Sequence, residues 1–232
     1  VGLGEEFAKD KYGHLGEPDS DNVNLLRYTV RRGSGCMWLP ESPRTTVRGF
    51  LHRLITNGPP VNVPPHRLSP LDQQFVEDAM KEDQSRGQME RGHSPWGFPA
   101  FPTKEGKAYK SVIRKRRTVV DYRRLNKVTV RKVFVIPHSD TVKSQVAGSR
   151  YISVGDAKEG FNQVDNEPET AKKLAVNTHS GKWIPRGLTF GPTNGPEDYQ
   201  ELVFIVFARL LYKNWWLFID DLAVGTGRRG AV

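Results

Sequence analysis

The chain has one cysteine, Cys36, among 232 residues. No intrachain disulfide can form, so a reducing, intracellular setting is expected, in nucleus, cytoplasm or an organelle. A lone cysteine is more often a small buried hydrophobe than a nucleophile. Cys36 and the six histidines lack zinc-ligand spacing. No apolar run approaches the roughly 20 residues of a membrane-spanning helix, so no span is expected. The opening Val1-Gly2-Leu3-Gly4-Glu5-Glu6 lacks a basic n-region and an apolar h-region, which excludes a visible signal peptide. It also lacks an initiator Met, as a processed or trimmed product would. Internal repeats and low-complexity tracts are missing too, which excludes a repeat array.

What the chain does have is positive charge. Lys and Arg outnumber Asp and Glu by 35 to 26, a formal net charge of +9. That balance suits a polyanionic partner such as nucleic acid. The plainer alternatives are a basic surface that serves solubility or one that faces acidic lipids.

Residues 1–50 are polar and rich in Gly, Asp and Arg, an extended arm with a strand expected over 25–30. Pro59, Pro60, Pro64 and Pro65 make the next stretch an extended connector. Ser69-Pro70-Leu71-Asp72 opens a helix, with Ser69 as N-cap, Pro70 in the first turn and Asp72 completing an imperfect capping box. Leu71, Phe75, Val76, Ala79 and Met80 form its apolar face, and Gly87 ends it. A strand is expected over 112–120, through the basic run Arg114-Lys115-Arg116-Arg117. Another follows at 151–154, ending on Gly155-Asp156. A polar helix over 167–173, a hairpin around His179-Ser180-Gly181 and a long buried helix over 196–212 come next.

The most informative string is Trp215-Trp216-Leu217-Phe218-Ile219-Asp220-Asp221-Leu222-Ala223-Val224, which reads as strand, two-residue turn, strand. Two carboxylates at one turn repel and raise each other's pKa, a cost that a divalent cation removes. Asp156 ends an earlier strand that can lie beside this hairpin. Three carboxylates meeting around two hard cations is a common apparatus for phosphoryl or nucleotidyl transfer. The bland alternative is an Asp-Asp turn used for backbone hydrogen bonding.

Several blocks in order now carry a resemblance. Pro65-His66-Arg67-Leu68-Ser69-Pro70 and His93-Ser94-Pro95-Trp96 come first. Val120-Asp121-Tyr122-Arg123-Arg124-Leu125-Asn126-Lys127-Val128-Thr129-Val130 follows, then Ile136-Pro137 and Asp156 with Gly160-Phe161-Asn162-Gln163-Val164. Phe190-Gly191-Pro192-Thr193-Asn194-Gly195-Pro196 with Tyr199-Gln200, and Phe218-Ile219-Asp220-Asp221, complete the series. Over about residues 51–227 the chain resembles the reverse transcriptase domain of gypsy-type LTR retrotransposons.

The resemblance implies an α+β fold, the fingers and palm of a right-hand polymerase, with an antiparallel palm sheet backed by helices and the thumb absent. Fingers would occupy 51–146 together with the connector, and the palm 147–232. Asp156, Asp220 and Asp221 would bind two Mg²⁺ ions, with the Ala157 carbonyl as a further ligand. Arg117 would pair with the triphosphate, Phe161 would stack under the sugar and exclude a 2′-hydroxyl, and Phe190 would line the nucleotide pocket. Core packing is the plain alternative for both phenylalanines. Lys104, Lys107 and Lys110 are candidates for a second triphosphate-binding base. The partners implied are an RNA template, a DNA primer and a deoxynucleoside triphosphate, for a domain within a larger polyprotein.

The chain departs from the pattern at Pro192, Gly155 and Glu197-Asp198, and it is longer between Trp96 and Arg117. These departures, with the early end of the chain, motivate a second expectation. In it the chain is a domesticated, catalytically silent subunit of a large assembly such as a ribonucleoprotein, with protein or RNA neighbours.

Overall fold

The computed structural model describes residues 44–104, 116–135, 138–157, 159–211 and 213–228, preceded by Asn24, Arg27, Tyr28, Arg31 and Arg32; for Ser139, Asp156 and Arg228 it describes the main chain alone. The chain divides into two units, Val1–Ser42 and Pro43–Val232. In the first unit the five described residues are helical. Arg27 Nη1 donates to Asn24 Oδ1 at 3.4 Å, and Arg32 Nη1 to Tyr28 Oη at 3.0 Å. Such pairs three and four residues apart are helix-surface contacts. They stand where a strand was expected over 25–30.

In the second unit the first elements are β1 (Leu51–His52), α1 (Pro70–Ser85), β2 (Met89–Arg91), β3 (Phe98–Pro102), β4 (Thr118–Val120) and α2 (Arg123–Val128). Then come α3 (Ser139–Val146), β5 (Ser149–Asp156), a 3₁₀ turn (Gly160–Gln163), β6 (Asp165–Asn166), α4 (Pro168–Lys173) and β7 (Val176–Thr178). β8 (Gly181–Pro185), α5 (Gly195–Phe207), β9 (Trp215–Phe218) and β10 (Asp221–Arg228) complete it. No described helix is long and apolar enough to cross a membrane.

α1 starts as its sequence dictates. The Asp72 N–H donates to Ser69 Oγ at 3.2 Å, and Pro70 needs no donor in the first turn. The Asp72 carboxylate pairs with Arg116 instead of closing the capping box, and the Arg116 guanidinium lies 4.7 Å from the Phe75 ring centroid. Val76 and Met80 are buried, but Leu71 is 80% exposed. At 100° per residue Leu71 stands about 140° round the helix from Val76, off the packed face. Gly87, at φ 72°, follows the C-cap in the left-handed conformation that ends helices.

Two sheets follow. A five-stranded sheet runs β2-β8-β7-β3-β4, with β3–β7 its one parallel pair. It takes strands from both sides of residue 146. A three-stranded antiparallel sheet runs β5-β10-β9. β1 and β6 form a short parallel pair. Of the strand expected over 112–120, Thr118–Val120 is extended and Arg116 and Arg117 precede it in irregular backbone; residues 112–115, with Arg114 and Lys115, lie outside the described residues.

α1 covers the five-stranded sheet through Val76 and Met80, which meet Met89, Ala100, Val176 and Trp183. On another cluster Phe98, Tyr122, Leu125 and Leu174 pack with Leu54 and Trp96. The third core backs the three-stranded sheet: Tyr199, Leu202 and Val203 of α5 meet Phe161, Val164, Leu188 and Leu217. The apolar run of α5 is therefore buried on one side only. Ile205 and Val206 are 62% and 59% exposed, and the helix gives way to turns after Phe207. A single sheet offers a helix one packing face, whatever the composition of the other.

Phe98 is fully buried, with its ring edge-on to Tyr122 at 5.4 Å. Phe98→Ala is expected to cost about 3–5 kcal/mol of unfolding free energy, read from denaturant melts.

Candidate active site

β5 and β10 pair so that Asp156 stands opposite Asp221, Gly155 opposite Leu222 and Val154 opposite Ala223. Register partners on adjacent antiparallel strands are among the nearest neighbours a sheet offers. β9 and β10 close with Phe218 opposite Asp221. The two turn residues are therefore Ile219 and Asp220, and Asp221 already belongs to the strand.

The positive φ of this turn, 56°, falls on Ile219 and not on an aspartate. A β-branched residue there is strained, by on the order of 1–3 kcal/mol. The compensation comes from α5. Gln200 is fully buried, and its Oε1 accepts the Ile219 N–H at 2.8 Å. The Ala157 N–H donates to the Asp220 carbonyl at 3.0 Å, tying the end of β5 to the turn. The sequence motif includes Gln200 but assigns it no role. The available signal was a glutamine in an apolar helix, because a buried amide must find a partner.

Behind Ala157 the chain turns sharply. Glu159 adopts φ 49°, and Gly160 has no room for a side chain, since a Cβ there would sit 2.2 Å from Tyr199 Oη. The turn delivers Phe161 into the core, 5% exposed, between two rings. Tyr199 stacks on it at 4.9 Å between centroids, and Phe190 lies at 4.6 Å. Phe190 is 69% exposed, so the pair presents one ring to solvent and keeps the other beneath it. The Ala157 carbonyl accepts from the Gly160 N–H at 3.1 Å, which leaves it one lone pair.

The loop carrying Phe190 is held by two asparagines. Asn126 on α2 donates to the Gly191 carbonyl at 2.9 Å and accepts from the Thr193 N–H at 3.0 Å. Asn194 donates to the Val130 carbonyl at 2.8 Å and accepts from the Lys132 N–H at 3.1 Å. Arg117 is exposed, with its main chain paired to Thr103 on both sides and no side-chain partner among the described residues. Arg123 is spent on Asp121 at 2.6 Å, which with His66 nearby holds the Asp121 carboxyl down to about 2. Lys104 is exposed; Lys107, Lys110 and Ile136-Pro137 lie outside the described residues.

The departure at Asp198 has a structural explanation. His52, fully buried, places Nδ1 2.5 Å from Asp198 Oδ2, and Lys132 Nζ lies 2.5 Å from Oδ1. Burial raises the Asp198 carboxyl, but these two partners outweigh it and hold the group below the ordinary carboxylate range. Lys132 also pairs with Glu201. Asp198 thus anchors α5 to β1.

Among the described residues no three His, Cys, Asp or Glu side chains are arranged to hold a metal. The side chain of Asp156, which the expected triad requires, lies outside them. The residues that the β5–β10 register brings together at this end are aspartates, with the Ala157 carbonyl beside them. That is the hard oxygen set Mg²⁺ takes, without the imidazole or thiolate that favours zinc.

Comparison with known proteins agrees with this arrangement. The family described as reverse transcriptase (RNA-dependent DNA polymerase) matches residues 103–231, more than half of the sequence, and the chain belongs to that family. It is 27% identical over 221 residues to the retrovirus-related Pol polyprotein from transposon 297 of Drosophila melanogaster, covering 94% of this chain and 20% of that one. It is 27% identical over 165 residues to the enzymatic polyprotein of cauliflower mosaic virus (strain Strasbourg), covering 71% and 24%. The chain therefore spans about a fifth to a quarter of the length of these curated relatives. Among solved structures it superposes on the foamy viral protease-reverse transcriptase in complex with RNA/DNA hybrid with a TM-score of 0.82 at 15% identity, covering 97% of this chain and 29% of that one. For the prototype foamy virus protease-reverse transcriptase CSH mutant the TM-score is 0.79 at 17% identity, with the same coverage. The fold is thus the fingers and palm of a reverse transcriptase, α+β, with an antiparallel sheet backed by helices.

One titration follows from the packing beside this site. Burial lifts the Asp83 carboxyl to about 6; Arg86 draws it back, while Glu82 and Glu159 push it up again. Its unfolded value is near 3.8, so its proton stabilises the fold below that pH, and the contribution is lost as pH rises through 6. Asp83→Asn is expected to raise Tm at pH 8 and to change it little at pH 4, measured by thermal melts across that range.

Proposed function

We propose that the chain is the fingers-and-palm part of an RNA-directed DNA polymerase of a gypsy-type LTR element, carried within a longer Pol polyprotein. The observation that supports it most is the β5–β10 register, which sets Asp156 against Asp221 with Asp220 in the adjoining turn. The ordered motifs from Pro65 to Asp221 and the alignment with a Drosophila transposon polyprotein over 94% of the chain support an element origin. Fingers over 51–146, joined by β7 and β8, and a palm over 147–232 are part of this reading, as is a reducing intracellular setting.

The reaction joins the primer 3′-oxygen to the α-phosphorus of a deoxynucleoside triphosphate and breaks the bond to the β-phosphate oxygen, releasing pyrophosphate. Asp156, Asp220 and Asp221, with the Ala157 carbonyl, would hold two Mg²⁺ ions. When bound, these ions would lower the pKa of the 3′-hydroxyl and neutralise the leaving pyrophosphate. Arg117, exposed and without a side-chain partner among the described residues, supplies a guanidinium whose fork matches phosphate oxygens. Phe190 offers its open ring to the incoming nucleotide, and Phe161 backs it from the core. The net charge of +9 draws an RNA template and DNA primer to the surface.

Primer extension on an RNA template with Mg²⁺, using the longest polypeptide that carries this chain, tests the proposal. Asp220→Asn and Asp221→Asn are each expected to lower turnover roughly 10³-fold, about 4 kcal/mol of transition-state stabilisation. Incorporation that is absent in the parent, or untouched in both variants, would sink the reading.

A further inference from the structure

The turn at Glu159-Gly160 is strained and closely confined, yet it lies at the very point where the carboxylate strand meets the aromatic pair. Its restraint comes from the segment that links α1 to β2. Glu159 Oε2 accepts from Gln88 Nε2 at 2.8 Å, and Glu159 Oε1 accepts from Arg86 Nη1 at 3.2 Å. The same Gln88 amide turns its oxygen to Asn162, whose Nδ2 donates to it at 3.3 Å. One glutamine side chain therefore grips both ends of the turn, Glu159 before Gly160 and Asn162 after Phe161.

Gln88 is itself immobilised. Its N–H donates to the Asp83 carbonyl and its carbonyl accepts from the Arg186 N–H, both at 2.8 Å. These bonds fix it between the end of α1 and the end of β8, just before β2. Arg86 is anchored in turn by Glu82 at 2.5 Å. Asn162 is held from its far side, where Arg44 Nε and Nη2 donate to its carbonyl at 3.0 and 2.8 Å. The left-handed Glu159 costs energy to maintain, and strain of this kind persists only where the surroundings over-determine it. Without the grip of Gln88, Glu159 can relax. Ala157, bonded to Asp220, and Phe161, under Phe190, then lose their fixed spacing.

We propose that Gln88, assisted by Arg86, is a positioning residue that sets nucleotide affinity by bracing the 159–162 turn against the link between α1 and β2. Among the described residues it bonds to neither Asp220, Asp221 nor Phe190, and it acts through Glu159 and Asn162. The inference rests on the polymerase reading given above and deepens it. Loss of the brace loosens the floor under the nucleotide while leaving the carboxylate pair on its strands, so it raises KM for the nucleotide and spares kcat.

The test is single-nucleotide incorporation kinetics by the longest polypeptide that carries this chain, with thermal melts alongside. Gln88→Ala is expected to raise the nucleotide KM about fivefold with kcat within about twofold, the scale of one partly exposed hydrogen bond to a charged group. Gln88→Glu sets two carboxylates together and is expected to raise KM roughly tenfold; adding Glu159→Gln restores a donor facing an acceptor and returns KM towards the parent value. That exchange carries the test should Gln88→Ala fail to fold. A folded Gln88→Ala with parental KM, a loss of kcat alone, or an exchange pair no better than Gln88→Glu overturns the inference while leaving the polymerase reading intact. A parent that incorporates nothing overturns both.

Discussion

β5 and β10 hold each other in register from Asp156 opposite Asp221 to Ser149 opposite Arg228, and every other feature of the candidate site is arranged around that alignment. A slip of one residue would send each side chain of one strand to the opposite face and separate the acidic positions. The alignment is guarded at its acidic end from two directions. Gln200 bonds the main chain of the strained Ile219, and Ala157 bonds the carbonyl of Asp220. Both guards act on main-chain atoms of the turn, one through the Gln200 side chain and one through the Ala157 N–H, so they fix the path of the backbone whatever the charge state of the carboxylates.

The same economy joins the segments around these strands. Gln88, Asn126 and Asn194 each use one amide to satisfy two groups on a neighbouring segment. A primary amide is suited to this because it carries donors and an acceptor on one rigid plane. The buried charge at Asp198 does comparable work with greater cost, since it requires His52 and Lys132 together to offset its desolvation. The part of the chain that carries the reacting groups is thus strapped to a scaffold at several points, and much of that strapping is polar.

Much of this was legible in the residues. The Ser69-Pro70 helix start, the hairpin at His179-Ser180-Gly181 and the strands flanking Asp220 rest on turn and capping chemistry that acts locally, and they stand where expected. The closeness of Asp156 to the hairpin follows from strand ends and is met by the main chain. What local rules misplace is what tertiary contacts decide. Asp is the better resident of a left-handed turn, yet Ile219 takes it because Gln200 reaches its amide. Leu71 fits the apolar stripe of α1 by type and misses it by angle. The run from Leu202 to Phe207 in α5 is wholly apolar, and only the sheet it meets determines which side is covered. Arg27, Tyr28, Arg31 and Arg32 are helical where a strand was expected, and their signal lies in side-chain pairs spaced three and four residues apart.

The paired asparagines have a bearing on how such a chain can change over generations. Asn126 and Asn194 stand nearly seventy positions apart, and each closes on the other's segment, so the stretches around them form one lock with two halves. An exchange of genetic material whose crossover fell between them would join halves from different ancestors, and the Phe190 loop would then sit on a latch it was not cut for. Mosaics that survive should therefore inherit both halves from a single parent, leaving the interval between them as a cold spot for recombination.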